Sequence, residues 1–277
     1  MKKTYFLSLL FIFFIFSCKN EKSSSLMEVN PEFAAYVSAY SSGLISTEGK
    51  IKVILQSDIP LETNPDKSLK KDIFKFSPHI NGKTYLVDNS TLEFHPDGKL
   101  KQGEIYTAKL DLKPIFKNLP NDLETFEFQF QAKKQDFSVS LTGLQDTQDG
   151  QGTYDLVGDL TTADVAKTSD IESMLSINYN GKELPVSWEH SQNQRNHRFK
   201  IEGIYAQNAA KDLIMKWKGV PIEAEKDQNI KFTIPAKGNF KVTQIRSISY
   251  PEQYISVNFS ESLPSDLYLN GLVEIEK

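Results

Sequence analysis

The sequence predicts an all-β protein: tandem Ig-like or macroglobulin-type antiparallel β-sandwiches, with one short helix in the second module and a third module that is incomplete. Three observations predict it. Apolar and polar residues alternate with a period of two along most of the chain, as in strands that bury one face. Asn-Gly and Asp-Gly pairs punctuate those runs at 81–82, 97–98, 149–150, 180–181 and 270–271, supplying the positive φ angles of tight turns. A pattern also repeats. Phe128-x-Phe130-x-Ala132-Lys133 leads into Phe137-x-Val139, and Phe232-x-Ile234-x-Ala236-Lys237 leads into Phe240-x-Val242. The step from Phe137 to Phe240 is 103 residues, close to the ~100 residues of one Ig-like sandwich.

Residues 1–17 have the pattern of a secretory signal peptide. Lys2 and Lys3 precede an apolar run from Thr4 to Phe16 that is too short to span ~30 Å of hydrocarbon. The run ends at Ile15-Phe16-Ser17-Cys18, which resembles the lipobox of bacterial lipoproteins. That resemblance implies cleavage before Cys18 and lipidation of its thiol and new amino group. Phe16 is bulkier than the lipobox pattern favours. Cleavage would remove two lysines and no acid, taking the formal charge from −4 to −6. Residues 18–30, with Ser23, Ser24 and Ser25 in a row, read as a flexible tether.

The first module is expected over residues 31–134. Residues 31–42 suit either a helical turn or a strand. Clear strands are Ile51-Lys52-Val53-Ile54-Leu55, Thr91-Leu92-Glu93-Phe94-His95 and Phe126-Glu127-Phe128-Gln129-Phe130-Gln131, the last with three Phe on one face. The second module is expected over 136–236. It opens on Phe137, Val139 and Leu141, and carries one helix over 170–176, signalled by the capping-box spacing of Ser169 and Glu172. Residues 240–277 read as the start of a truncated third module, with strands around Phe240 and Val242 and around Ile255, Val257 and Phe259. About 38 residues cannot bury a sandwich core alone, so the chain is expected to be part of a longer protein.

Composition excludes several functions. A net charge of −4 gives no basic face for nucleic acid. One cysteine allows neither a disulfide framework nor a Cys-rich zinc site. There is no Gly-x-Ser-x-Gly elbow, no phosphate-cradling glycine loop and no nucleophile–base or metal constellation, so neither an enzyme nor a cofactor is expected. Asp146, Asp149 and Gly150 have the wrong spacing for a calcium loop and read as a polar hairpin. His190 and His197, seven apart among Gln192, Asn193, Gln194 and Arg195, read as an exposed loop, while His79 and His95 beside prolines read as turns. Trp188, Trp217, Tyr36, Tyr40, Tyr85, Tyr106, Tyr154 and Tyr179 are expected mainly in cores. Their exposure on one sheet would instead favour a glycan- or protein-binding surface.

Several segments together resemble the N-terminal region of α2-macroglobulin-like lipoproteins of the Bacteroidota. They are Pro31-Glu32-Phe33-Ala34-Ala35-Tyr36-Val37-Ser38-Ala39-Tyr40, Phe76-Ser77-Pro78-His79-Ile80-Asn81-Gly82, Asp88-Asn89-Ser90-Thr91-Leu92-Glu93-Phe94-His95-Pro96-Asp97 and Leu100-Lys101-Gln102-Gly103-Glu104-Ile105-Tyr106-Thr107. Val257-Asn258-Phe259-Ser260-Glu261-Ser262-Leu263 looks like the opening strand of a bacterial Ig-like domain. The resemblance implies a lipid-anchored protein of the cell envelope, more in the outer than the inner membrane, whose parent chain traps proteases. Its partners would be the lipid bilayer, the rest of that chain and proteases. The family's thioester cannot be placed here, because the sole cysteine, Cys18, is followed by Lys19-Asn20-Glu21-Lys22. The other expectation is a stand-alone envelope lipoprotein of Ig-like modules that binds a glycan or a partner protein.

Overall fold

The computed structural model describes residues 26–147, 152–249, 252–259, 263, 267 and 268. A 3-10 turn at Pro31–Ala35 comes first, with the Asn30 side chain accepting the Glu32 N–H at 3.0 Å. Pro31 tolerates this position because a first-turn N–H has no helical partner to lose. Residues 31–42 therefore hold both a helical turn and a strand.

Eight strands build the first sandwich: β1 (Val37–Tyr40), β2 (Gly43–Ile45), β3 (Ile51–Leu55), β4 (Phe74–Ser77), β5 (Gly82–Leu86), β6 (Thr91–Pro96), β7 (Ile105–Asp111) and β8 (Thr125–Ala132). One sheet runs β1-β3-β6-β5 and the other β2-β8-β7-β4. This is the order of an immunoglobulin-type sandwich, with the first strand divided between the sheets. The division occurs at Gly43, whose φ of 70° is open to glycine and strained for most other residues. There the chain leaves β3 and joins β8 in parallel, Gly43 opposite Phe130 and Ile45 opposite Ala132.

Alternation in β8 drives the packing. Phe126, Phe128 and Phe130 are fully buried, while Glu127, Gln129 and Gln131 are half-buried on the other face. Phe33 and Tyr40 meet Phe126 edge-on at 5.0 and 5.2 Å, the geometry favoured by ring quadrupoles. Each buried ring contributes roughly 1.5–3 kcal/mol from its removal from water. At the start of β7, the Tyr106 hydroxyl accepts the Lys101 N–H at 3.0 Å. It closes the corner between β6 and β7 as the tyrosine corner does in Ig folds.

The second sandwich has the same plan. Its elements are β9 (Phe137–Asp146), β10 (Thr153–Thr162), α1 (Thr168–Ser173), β11 (Leu175–Tyr179), β12 (Lys182–Glu183), β13 (Val186–His190), β14 (Asn196–Tyr205), β15 (Lys211–Trp217) and β16 (Gln228–Ile234). The sheets are β13-β14-β10-β9 and β12-β11-β15-β16. Here the first strand stays in one sheet throughout. It pairs with β10 from Phe137 to Asp146, with a bulge beside Gly143. Trp217 and Phe199 are fully buried and meet edge-on at 5.1 Å. Gly158 lies under the Phe199 ring, and a Cβ there would sit 2.4 Å from its Cζ.

Three local expectations are corrected. Helix α1 starts at Thr168, and its N-cap Lys167 makes no side-chain cap bond. The Ser169 hydroxyl turns to the Asp170 carboxylate instead, and Glu172 reaches His190, so no capping box forms. The helix also ends earlier than expected, because Leu175 and Ser176 join β11. Of the Asn-Gly and Asp-Gly pairs, Asn180-Gly181 makes a tight hairpin between β11 and β12, with φ of 55° and 76°. Asn81-Gly82 and Asp97-Gly98 stand instead where the chain crosses between sheets. Asp149, Gly150, Asn270 and Gly271 lie outside the described residues.

Strands β17 (Val242–Ile248) and β18 (Tyr254–Phe259) form a separate antiparallel hairpin. Register places Val242, Ile245, Ile255, Val257 and Phe259 on one face, and Val242, Ile245 and Ile255 on it are exposed. The Asn258 side chain donates to the Thr142 carbonyl at 2.9 Å, tying the hairpin to β9.

Candidate functional site

The most densely built polar site lies where the two sandwiches meet. From the first come the loop after β2 with Thr47, the corner before β7 with Gln102, and the link after β8 with Lys134 and Gln135. From the second come the segment after β10 with Asp164 and Val165, and the turn after β15 with Glu223, Glu225 and Lys226. Asp164, Thr47 and Gln135 are all buried.

Asp164 is the centre. Its Oδ2 accepts the Thr47 N–H at 2.7 Å and the Thr47 hydroxyl at 2.9 Å. Gln135 completes the clamp by pairing in both directions. Its Oε1 accepts the Asp164 N–H at 2.9 Å, and its Nε2 donates to the carbonyls of Asp164 and Val165 at 3.2 and 3.3 Å. The Gln135 N–H in turn donates to Gln102 Oε1 at 2.8 Å, and Gln102 Nε2 donates to Glu223 Oε2 at 3.1 Å. Burial works to raise the Asp164 pKa. Hydrogen bonds from Ser46 and Thr47 outweigh it and hold the carboxyl below the usual carboxylate range.

Ion pairs ring this core. Lys226 Nζ lies 2.6 Å from Asp136 Oδ1 and 5.4 Å above the Phe137 ring, and Lys134 lies 3.9 Å from Glu225. The lysine's hydrogen bond leads the causes that depress the Asp136 pKa. These rim pairs are exposed and add little energy. The buried amide–carboxylate network does more, since each buried polar group that loses its partner costs about 1–3 kcal/mol. Chemically, the arrangement fixes one module against the next.

The residues singled out from sequence fall elsewhere. Cys18 and the lipobox residues Ile15, Phe16 and Ser17 lie outside the described residues. His79 is exposed in the loop after β4, its Nε2 2.9 Å from Asn81 Oδ1. His95 belongs to strand β6, not to a turn. Its Nε2 is 3.1 Å from Glu93 Oε2, and its ring lies 4.4 Å from that of Tyr85. His190 and His197 are not in an exposed loop. They end β13 and open β14, face each other across the ladder, and His197 is buried. The polar residues 191–195 between them form only the turn, which is why their composition misled. Tyr106, Tyr154, Tyr179 and Trp217 are buried, and Tyr36, Tyr40, Tyr85 and Trp188 are half-buried. Among the described residues no group of three or more His, Cys, Asp or Glu is placed to hold a metal ion, and no helix is long and apolar enough to cross a membrane.

The joint itself gave no signal in the sequence. Asp164 and Gln135 are ordinary polar residues in polar segments. Only the place of Gln135 in the link between the two modules, as the repeat sets it, could have drawn attention to that residue.

No protein-family model and no curated protein matches the chain. Solved structures give distant likenesses. L,D-transpeptidase 3 from Mycobacterium tuberculosis, in complex with a faropenem-derived adduct, is 11% identical over 72% of this chain and 75% of that one, with a TM-score of 0.24. An L,D-transpeptidase from Mycobacterium smegmatis is 8% identical over 85% and 76%, with a TM-score of 0.24. The N-terminal part of the bacterial S-layer protein SbsC is 15% identical over 69% and 42%, with a TM-score of 0.26. None of the three is described as macroglobulin-like, and likenesses this distant assign neither an activity nor a partner.

Proposed function

We propose that this chain is the membrane-anchoring and spacer region of an α2-macroglobulin-like envelope lipoprotein whose parent chain traps proteases. The observation that carries the reading is the joint. Two sandwiches in tandem, clamped through buried Asp164, Thr47 and Gln135, make a stiff element of defined length rather than two beads on a string. A spacer that holds a larger body at a set height above a bilayer needs that stiffness. The signal peptide pattern, the Cys18 lipobox and the tether would supply the anchor. The exposed apolar face of β17 and β18 supports a further sandwich whose remaining strands cover it. The alternative of a glycan-binding lipoprotein draws no support from the tryptophans, which are engaged in the second core.

The test is capture of the native protein from detergent-extracted cell envelopes, followed by peptide mass mapping. The reading expects an N-terminal peptide beginning at Cys18 with a diacylglycerol thioether, and peptides continuing past Lys277 into further macroglobulin-type modules. An unmodified N-terminus, or a mature chain that stops at Lys277, overturns it.

A further inference from the structure

We propose that half-buried His190 and buried His197 form a pair that takes up at most one added proton, so that acidification releases edge strand β13 from the second sandwich. The two Nδ1 atoms stand 2.8 Å apart, and the rings meet at 68° with centroids 5.0 Å apart. His190 Nε2 lies 3.1 Å from Glu172 Oε1 on helix α1. His197 Nε2 is buried and finds no hydrogen-bond partner among the described residues.

These contacts dictate the proton positions. With both rings neutral, His190 donates its Nε2–H to Glu172 and accepts at Nδ1 from the Nδ1–H of His197. One added proton is accommodated by reversing that bond. His190 becomes the imidazolium, paired with Glu172, and donates through Nδ1 to His197, whose own proton moves to Nε2, with the Gln194 backbone the contact that favours a proton on this ring. A second proton has no place. It would set two N–H groups against each other at 2.8 Å and leave a buried His197 cation without a counter-charge. Burial, with the neighbouring His190 adding to it, already holds His197 below the ordinary histidine pKa.

The charged surroundings offer no relief. On helix α1, Glu172 is taken by His190, and Asp170 lines the joint between the modules. On β13, Glu189 is exposed. On β10, Leu160 lies opposite His197, while Asp159 pairs outward with Arg198 of β14. In the turn, Arg195 Nε donates to the Thr162 carbonyl. On β15, Trp217 meets Trp188 at 6.2 Å and carries no charge.

The sign follows from linkage. The unfolded chain protonates both rings near pH 6.5, about the free histidine value. The folded pair takes one proton fewer. Stability is therefore complete above that pH and falls as pH drops, about tenfold in the unfolding equilibrium for each pH unit. Strand β13 is the element to yield first, because it is an edge strand whose backbone ladder is with β14 alone.

The experiment is an NMR titration of the imidazole signals of the full chain in detergent, with amide exchange measured from pH 7.5 to 5 and corrected for intrinsic rates. The proposal expects the two rings to share one added proton. It also expects protection of β13 amides to fall about tenfold per pH unit below 6.5 while β8 amides hold, and His197→Phe to abolish the step. Two independent titrations at ordinary histidine values with β13 still protected overturn it. Should His197→Phe fail to fold, the titration of the native chain decides.

Discussion

Replacing Asp164 by Ala tests whether the joint is a clamp. The substitution removes two hydrogen bonds to a buried carboxylate, at 2.7 and 2.9 Å. The Thr47 hydroxyl can rotate to another acceptor. Its backbone N–H cannot, and Thr47 is only 6% exposed. A lost charge-assisted hydrogen bond and a stranded buried N–H together cost about 2–4 kcal/mol, or roughly 30- to 1,000-fold in the ratio of docked to undocked modules. The Gln135 contacts to the backbone of Asp164 and Val165 survive, so both sandwiches should stay folded. The assay is 15N relaxation. The native chain should tumble with one rotational correlation time, and the Ala variant with two shorter ones. Asp164→Asn keeps an acceptor without the charge and should fall between. A single unchanged correlation time in the Ala variant, with no loss of thermal stability, would refute the clamp.

Other outcomes follow from the same geometry. Gly158→Ala puts a Cβ into the Phe199 ring and should destabilise the second sandwich by about 1–3 kcal/mol, read as a lower denaturant midpoint in Trp217 fluorescence. Phe128→Ala empties the middle of the first core and should cost about 3–5 kcal/mol; calorimetry should show the first module melting early and the second nearly unchanged. Tyr106→Phe strands the Lys101 N–H and should cost about 1 kcal/mol in chemical denaturation. The carboxyl of Asp164 has a lowered folded pKa, so its contribution is present above the ordinary carboxylate value and lost as pH falls through the folded one. The joint should thus loosen below about pH 4, with a rise in radius of gyration by small-angle scattering that Asp164→Asn removes.

Strands were legible wherever one face is dry and the other wet. The triple Phe of β8 and the run Ile51–Leu55 in β3 match the sequence reading because local alternation and tertiary burial agree there. Turn chemistry was legible only in part. Asn-Gly permits positive φ without imposing it, so Asn180-Gly181 makes a hairpin with φ of 55° and 76°, while Asn81-Gly82, with neither residue at positive φ, stands at a crossing between sheets. The histidine pair was hidden for a different reason. Glu189, His190, Arg195 and Asn196 look like a solvated stretch, and only the register of β13 on β14 brings His190 opposite His197. The joint was hidden more deeply, since hydrogen bonds such as Thr47 to Asp164 span 117 positions and leave no periodic trace.

The parallel seam between β2 and β8 has a mechanical consequence. Tension on the two ends of the first sandwich pulls β2 and β8 in opposite directions along their common axis. Once β1 peels from β3, the bonds around Gly43, Leu44 and Ile45 are loaded in shear, all together, rather than unzipped one by one. The second sandwich has no such seam, because β9 and β16 close different sheets. Stretched between two handles, the second should rupture at lower force than the first, and the ordering should reverse when Ile45→Pro removes an N–H that faces β8 across the seam.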